Sequence, residues 1–493
     1  MRINKRFIVA ALAVSMLGSC KKDFLETVPT SSVSEANVFT NTNDAWKVIN
    51  GMHRFLYRQM YSSQALGGQS GNMILMDALG EDLVMTGESN GWWIGEYKWN
   101  SHRLATNTVA VYYNYLYYFS FISNANMVIA NIDNAAGPQA DKDAIKAQAL
   151  AYRGWAYFQA IQLYGERFDK TKANDGPGLP LKITPSVGAT PRVSVKEIYD
   201  QINKDLDQAI SLLGAFTRPN QSHININVAR GFKARVALAQ QDWATAAQMA
   251  ALARQGFALM SNTDYVSGFN NYTNPECMWG YKQQEDQTTF FFSFFAYLSG
   301  NYNSTNIRTN PKAINSLLYA KIRTGDVRRG LWDPTGTNTA FPIPPSGSRR
   351  PYMNKKFLVP NTALSIGDVM LMRTSEMYLI EAEAQARAGQ ITPAKQALFT
   401  LARQRDASYT LSENTGDALI EEIMVQRRIE LWGEGFRFYD LKRLNLPLDR
   451  SGANHNVTLA LVYNVPAGDK RWQFLIPQVE INNTLGIVTQ NPL

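Results

Sequence analysis

The chain has 493 residues, of which 45% are hydrophobic and 18% are charged, and its formal net charge is +8. This is the composition of an ordinary folded protein whose length suffices for a large core, not that of a disordered or fibrous chain. No long basic run accompanies the positive charge, which argues against nucleic-acid binding, and two cysteines provide neither a disulfide framework nor a metal-ligand pattern.

The N-terminus has the features of a bacterial secretion signal. A basic start is followed by the apolar stretch 7–17, which is too short to span a bilayer. The sequence LGSC, which ends at Cys20, fits a bacterial lipobox, so we predict a signal peptide at 1–19 and acyl chains on Cys20. An ordinary secretory signal with an incidental cysteine is the alternative. Residues 20–34 are polar and have the composition of a tether.

Helical periodicity dominates the remaining chain. Apolar residues recur at spacings of three and four, which predicts amphipathic helices over 112–129, 145–163, 195–213 and 373–388. Ser194 and Glu197 form a capping box at the start of the third helix. The sequence therefore predicts a mainly α fold.

Residues 234–254 and 382–403 resemble each other. Each contains a small-residue helix, a short polar turn and a second small-residue helix. Small residues let paired helices approach closely, as in tetratricopeptide hairpins. Because the two repeats lie far apart in the chain, we expect such hairpins to pack side by side within a globular domain.

The other parts of the chain have the composition of loops. Residues 67–101 are rich in Gly and Trp, 261–310 mix aromatic residues with Asn, Gly and Ser, and 333–351 are rich in Pro, Gly and Ser. We expect few and short strands there, and we expect Cys277 to be a buried free thiol.

Two aromatic loops have the composition of a sugar-binding site. Trp and Tyr rings cover the C–H faces of sugars, and Asn, Asp, Gln and Arg bond their hydroxyls. Adjacent Trp92 and Trp93 cannot point the same way in an extended chain, so at least one belongs to the core or faces a partner. The candidate ligand-binding residues are Asp77, Glu81, Asp82, Asn90, Trp92, Trp93, Tyr97, Trp99, Tyr281, Tyr297, Asn301 and Tyr302.

Catalytic motifs are weak. Residues 87–91 match G-x-S-x-G around Ser89, but that motif needs a helix directly after it, and GWWIGEYKW does not begin one. The charged residues of 426–444 alternate in sign at helical spacings, which favours ion pairs over an active site. No phosphate-binding or metal motif is present, although the sequence does not exclude a glycosidase carboxylate pair. We therefore predict a binding protein, not an enzyme, without cofactor or metal.

Five segments in chain order carry a family resemblance. They are 149–165 with the GLPL of 178–181, then 194–213, 367–389, 426–444 and 474–492, and the matching residues of the fourth are Arg427, Glu430, Glu434, Gly435, Arg437, Asp440 and Arg443. Together with the lipobox they resemble the SusD/RagB family of outer-membrane lipoproteins. The resemblance implies a SusD-like fold in which helical hairpins pack against a loop-rich region.

The resemblance also implies a function. Members of this family capture oligosaccharides or polysaccharides and deliver them to a SusC-like TonB-dependent transporter, and comparable loops form their ligand site. We accordingly expect a protein held on the outer membrane by its lipid and facing outside. Peptide capture is the alternative, since some relatives take peptides, and a surface hydrolase is the least favoured.

The predicted organisation is one SusD-like domain over 35–493. Within it we expect an N-terminal helical half, a hairpin, a loop-rich insert and a C-terminal half. Their predicted bounds are 35–215, 224–260, 261–366 and 367–493.

Overall fold

The computed structural model describes residues 38–60, 65–287 and 294–493. The predicted signal peptide, lipidated Cys20 and tether lie outside these residues. Within the part of the chain that the structure describes, no helix is long and apolar enough to cross a membrane.

The N-terminal part is a layer of helices around one long central helix. The helices are α1 (Thr42–Phe55), α2 (Gln69–Ala78), α3 (Ile94–Tyr97), α4 (Asn114–Asn131), α5 (Gln139–Tyr164) and α6 (Val195–Leu212). The central helix α5 packs against α1, α4 and α6. Gly154 allows the closest of these contacts, since a Cβ at this position would lie 3.1 Å from Cγ of Leu206 on α6.

The buried face predicted from the sequence agrees with the structure for α6 but only partly for α4. The stripe of α6 is buried as predicted, and Ser194 and Glu197 form both hydrogen bonds of the capping box. The stripe predicted for 112–129 is partly wrong: Phe119 and Ile129 are only partly buried, whereas Tyr117 and Phe121 are fully buried. A π-helix over Thr108–Tyr113 precedes α4, and α4 is apolar on most sides, so residue spacing does not identify its buried face.

Two helical hairpins form the second layer, as the repeat predicts. The first contains α7 (Ile226–Ala239) and α8 (Trp243–Ala253), and further along the chain the second contains α13 (Thr374–Arg387) and α14 (Ile391–Arg405). Helix α8 packs against α13, so the hairpins lie side by side. Gln241 and Gly389, which the repeat aligns, both adopt positive φ, at 61° and 76°.

Short elements connect and cover these layers. The remaining helices are α9 (Asn262–Tyr265), α10 (Phe295–Leu298), α11 (Thr305–Thr309), α12 (Ser316–Ala320), α15 (Gly416–Glu430), α16 (Arg437–Arg443), α17 (Val457–Ala460) and α18 (Gln478–Asn483). The strands are β1 (Leu83–Val84), β2 (Pro177–Pro180), β3 (Arg192–Ser194), β4 (Cys277–Tyr281), β5 (Ala313–Ile314), β6 (Trp332–Asp333), β7 (Met353–Asn354), β8 (Val369–Arg373), β9 (Leu448–Asp449) and β10 (Asn464–Val465).

All strand pairs are antiparallel, and the largest sheet has the order β1-β5-β7-β6. This sheet joins the N-terminal loop after α2 to the loop-rich segment, which brings the two predicted aromatic loops together. Strands β2–β3, β4–β8 and β9–β10 form separate pairs. Cys277, in β4, is a buried free thiol as predicted, and burial raises its pKa to about 12. The mainly helical fold with few short strands is confirmed.

Candidate functional site

The segment directly after β1, residues 86–92, is a tightly held surface loop that we call the Trp92 loop. At its start, the backbone N–H groups of Thr86 and Gly87 donate to Oδ1 of Asn310, at 2.9 and 3.2 Å. A Cβ at Gly87 would lie 2.3 Å from the carbonyl oxygen of Thr309, so only glycine fits this approach. The beginning of the loop is thus fixed to the segment before β5.

The far end of the Trp92 loop is held in an uncommon backbone conformation. Ser89 and Trp93 have φ of 48° and 56°, and Gly91 has 77°. A left-handed conformation costs roughly 1 kcal/mol or more for a residue with a side chain and persists only where the surroundings impose it. The N–H of Gly91 donates to the carbonyl of Glu88 at 2.9 Å, which closes the turn.

The two adjacent tryptophans face different surroundings, as predicted. Trp93 is 4% exposed and its ring meets Tyr297 at a centroid distance of 4.5 Å. Trp92 stays partly exposed, with its ring perpendicular to that of Trp93. The hydroxyl of Tyr297 donates to the backbone carbonyl of Trp92 at 3.4 Å. Trp92 is therefore a partly exposed aromatic residue that packs against the core and lies on a hydrogen-bonded backbone.

Polar groups lie beside this loop. The Ser89 hydroxyl donates to Oδ1 of the exposed Asn90 at 3.0 Å and lies 3.4 Å from the carbonyl of Thr305. From the next turn, the Arg308 guanidinium donates to Oδ1 of the exposed Asn303 at 2.9 Å. The guanidinium also donates to Oγ1 of Thr305 at 3.2 Å, so both of these acceptors are neutral oxygens.

Nine candidates are buried, each at most 5% exposed: Asp77, Glu81, Asp82, Trp93, Tyr97, Trp99, Tyr281, Tyr297 and Tyr302. Asn90, Trp92 and Asn301 remain accessible or partly accessible. Aromatic-rich composition predicts where a site lies but not which ring faces solvent, because core and surface aromatic residues share one loop.

The buried acidic candidates attach the segment after α2 to the C-terminal helices. Glu81 accepts from Arg437, and Asp82 accepts from Nε of Arg428 at 3.0 Å. Asp77 accepts the N–H of Gly435 at 2.8 Å, and burial raises its pKa well above the ordinary value. These carboxylates fix the base of the loop region.

The buried aromatic candidates form internal contacts. Nε1 of Trp99 donates to the carbonyl of Leu79 at 2.9 Å, and Tyr97 is hydrogen-bonded to His455. Tyr281 stacks on Tyr57 with ring centroids 4.9 Å apart. In the described structure these side chains support the surface rather than form it.

The residues that the sequence reasoning missed are Asn303 and Arg308. They lie in the segment 301–310, whose sequence NYNSTNIRTN contains four asparagines. This density of amides was the available signal, because amides bond both sugar hydroxyls and backbone groups. The contacts of Asn310 with Thr86 and Gly87 and of Thr305 with Ser89 show that this segment reaches the Trp92 loop.

The charged segment 426–444 forms ion pairs, as predicted. Arg427 and Arg443 both bind Asp440, at 2.7 and 2.8 Å, and Arg443 also binds Glu383 on α13. These arginines lower the pKa of Asp440 to about 2 despite its burial. All four side chains are at most 8% exposed, so these buried ion pairs join helices.

The G-x-S-x-G match at Ser89 lacks the geometry of a nucleophile elbow. Strand β1 ends at Val84, and a turn separates Ser89 from the four-residue helix α3. The Ser89 hydroxyl contacts the amide oxygen of Asn90 and the carbonyl oxygen of Thr305. The histidine His455 is 7% exposed and is hydrogen-bonded to Tyr97 and to the carbonyl of Glu81. Among the described residues, no imidazole forms a hydrogen bond with Ser89.

The fold and the candidate site have an arrangement typical of ligand-binding proteins, in which a helical scaffold supports a loop with a partly exposed aromatic residue. The chain belongs to the SusD family. The model of that family matches residues 261–493, and a second model, described as "Starch-binding associating with outer membrane", matches 23–238.

Known proteins of this family resemble the chain over almost its full length. SusD-like protein P38 of Formosa agariphila is 22% identical over 504 residues, covering 91% of this chain and 92% of the relative. A SusD-like carbohydrate binding protein from Bacteroides vulgatus has a similar structure, with a TM-score of 0.78 and 26% identity, covering 91% of this chain and 97% of that one. A laminarin-binding SusD-like protein superposes with a TM-score of 0.71 at 17% identity, covering 92% and 100%.

Proposed function

We propose that this protein captures oligosaccharides or polysaccharides and delivers them to a SusC-like TonB-dependent transporter. The observation that carries the proposal is the Trp92 loop: its hydrogen-bonded backbone carries a partly exposed tryptophan next to the exposed amide of Asn90, and it contacts the segment that contains Asn303 and Arg308. Two further facts support it: the chain belongs to the SusD family, and members of similar structure are named as carbohydrate-binding and laminarin-binding.

The chemistry of the surface suits a neutral glycan. The Trp92 ring offers a flat apolar face for the C–H groups of a sugar ring, and Asn90, Asn303 and Arg308 offer donors and acceptors for its hydroxyls. The clamped loop needs little ordering when a ligand binds, so less binding energy is lost. These groups act by binding, and we assign no catalytic step to the protein.

The proposed location and partner follow from the N-terminus and the family. Lipidation of Cys20 would hold the protein on the outer membrane, facing outside, with the tether 20–34 between lipid and domain. The description of the family model for residues 23–238 names association with the outer membrane. Co-purification of a TonB-dependent transporter from detergent extracts tests the partnership, and its consistent absence would contradict it.

The decisive test is affinity electrophoresis of the chain without residues 1–20, which retains every described residue. The gels contain a panel of plant, fungal and host polysaccharides. We expect one polysaccharide to retard the protein, and Trp92→Ala to weaken binding about thirtyfold, the effect of losing roughly 2 kcal/mol at an aromatic contact.

The matched control is Trp243→Ala. Trp243 is also a partly exposed tryptophan, but it lies on α8 against Lys170 and Arg387. We expect this variant to bind like the unmodified protein. Equal losses in both variants, or no retardation by any polysaccharide, would contradict glycan capture at the Trp92 loop, and a preference for peptides in a thermal-shift screen would favour the peptide alternative.

A further inference from the structure

Lys312 is a buried lysine whose ammonium group contacts only neutral groups among the described residues. It is 1% exposed and precedes β5, and its Nζ donates to the carbonyl of Asn310 at 2.7 Å and to Oδ1 of Asn306 at 3.1 Å. Burial lowers the pKa of Lys312 well below its ordinary value, and no carboxylate among the described residues counteracts this shift. A buried cation without an anionic partner is unfavourable for folding.

Lys312 contrasts with another buried lysine of the same region. Lys356 is 0% exposed, but its Nζ lies 2.7 Å from Oε1 of Glu434. Both ammonium groups also lie over aromatic rings, Lys312 over Tyr297 and Lys356 over Phe269. The difference between them is the carboxylate, so charge pairing does not account for Lys312.

Two of the partners of Lys312 belong to residues that hold the Trp92 loop. The Lys312 Nζ lies 3.8 Å from the ring centroid of Tyr297, whose hydroxyl donates to the carbonyl of Trp92. The second of these partners is the backbone carbonyl of Asn310, whose side chain accepts the N–H groups of Thr86 and Gly87. One ammonium group therefore connects the clamp at the start of the loop with the clamp at its end.

We infer that Lys312 is a positioning residue for ligand binding: its ammonium group joins the Asn310 and Tyr297 clamps and so holds the Trp92 loop in its binding conformation. The role of Lys312 in ligand binding rests on the proposed function, whereas its role in ordering the loop does not. A cation fits this place because it binds a carbonyl, an amide oxygen and a ring face at once. An apolar side chain of equal length would contact the ring alone.

The test uses Lys312→Met in the chain without residues 1–20. Amide hydrogen exchange measures the order of the loop, and affinity electrophoresis on the polysaccharide that retards the unmodified protein measures binding. We expect exchange at Thr86 and Gly87 to become about tenfold faster or more, because their protection depends on the position of Asn310. We expect affinity to fall about tenfold if the loop is in its binding conformation about one tenth of the time.

Lys356→Met is the matched control. It removes an equally buried lysine that also contacts a ring, but it leaves Glu434 without this partner, so we expect a lower melting temperature and unchanged exchange over 86–92. Tyr297→Phe is the second variant. It keeps the ring over which Lys312 lies and removes the hydroxyl contacts to the Trp92 carbonyl and to Sδ of Met85. We expect looser backbone at Trp92 and unchanged protection at Thr86, whose N–H donates to Asn310.

The outcomes distinguish the positioning role of Lys312 from the proposed function of the protein. Unchanged exchange over 86–92 in both Lys312→Met and Tyr297→Phe would overturn the positioning role. If exchange accelerates as expected but the unmodified protein binds no polysaccharide, the proposed function fails and the role of Lys312 in ordering the loop stands. Faster exchange throughout the protein in Lys312→Met would assign Lys312 to general stability and also overturn the inference.

Discussion

The helical hairpins and the loop-rich segment are ordered by different interactions. In the hairpins, small residues such as Ala234, Ala246 and Ala250 are fully buried where helices meet, and the backbone is satisfied within each helix. In the loop-rich segment, buried polar side chains replace secondary structure: Nδ2 of Asn354 donates to the carbonyls of Leu298 and Lys312. Residues distant in sequence therefore define the loops, whereas neighbouring residues define the hairpins.

Arg450 shows that contacts between residues distant in sequence also order the C-terminal loops. It is 0% exposed, and its guanidinium donates to the carbonyls of Ala78, Gly80 and Tyr97. Those carbonyls lie at the end of α2 and in α3, where helix geometry leaves acceptors without partners. A single side chain thus completes the hydrogen bonding of two helix ends.

The two regions meet at a buried ion network. Arg373, at the end of β8, binds Glu276, Glu430 and Glu434, and Arg405 from α14 binds Glu276 and Glu430. Arg328 from the loop-rich segment adds contacts to Glu430 at 3.2 Å and to Asp326. These arginines lower the pKa of Glu434 and Glu430, which burial alone would raise.

The largest expected effect is that of breaking this network. Arg373→Met leaves three buried carboxylates without their shared partner, and we expect the free energy of unfolding to fall by about 3–5 kcal/mol. Arg254→Met is the control, because the pair of Arg254 with Glu381 at 2.8 Å is partly exposed and should contribute at most about 1 kcal/mol. Chemical denaturation measures both, and equal losses would contradict the central role of the network.

Acid should destabilise the protein, because histidines are buried both beside the N-terminal helices and in the C-terminal loops. Burial lowers the pKa of His223, which packs against His53 with ring centroids 4.4 Å apart, to about 4, and lowers that of His455 in the loops to about 3. Below pH 6.5 the unfolded chain binds protons that the folded protein does not, so stability falls as pH decreases through this range. The paired carboxylates, whose folded pKa is depressed, add a further loss below about pH 4.

We expect a total loss of at least about 2 kcal/mol between pH 6.5 and 4.5, since each buried histidine contributes a slope of up to roughly 1 kcal/mol per pH unit. Denaturation at several pH values measures this slope. His223→Gln removes one titrating group and should reduce the slope over the same range. An unchanged slope in this variant would show that His223 binds protons equally in the folded and the unfolded chain, which would contradict this explanation.

The smallest expected effect tests the turn of a hairpin. Gly389 has a φ of 76° and open space around its Cβ position, so Gly389→Ala should cost about 1 kcal/mol through backbone conformation alone. Gly51 lies within α1 with ordinary φ and open space, and Gly51→Ala should stabilise the protein by about 0.5–1 kcal/mol. Thermal denaturation distinguishes the two, and a shift of the same sign in both would contradict the conformational explanation.

The comparison also explains which candidate residues the sequence could identify. The composition indicates the region of the candidate site, because Trp92 and Asn90 lie within a stretch that is rich in Gly and Trp. Their buried neighbours were not distinguishable from them, since Trp93 and Trp99 face the core only because the chain turns at residues with positive φ. Asn303 and Arg308 reach the site through a contact between segments more than 200 residues apart.

The sequence by itself determined the helices, the pairing of the hairpins and the capped start of α6, because residue spacing and local hydrogen bonds depend on neighbours in the chain. It also contained the family resemblance that identifies the SusD fold. Only the tertiary structure decided that Glu430 and Glu434 lie in a network with arginines from other segments, and that Lys312 lies over the ring of Tyr297. The physical reason is that a buried polar group takes whichever partner the fold brings within hydrogen-bond distance, and no local pattern encodes that partner.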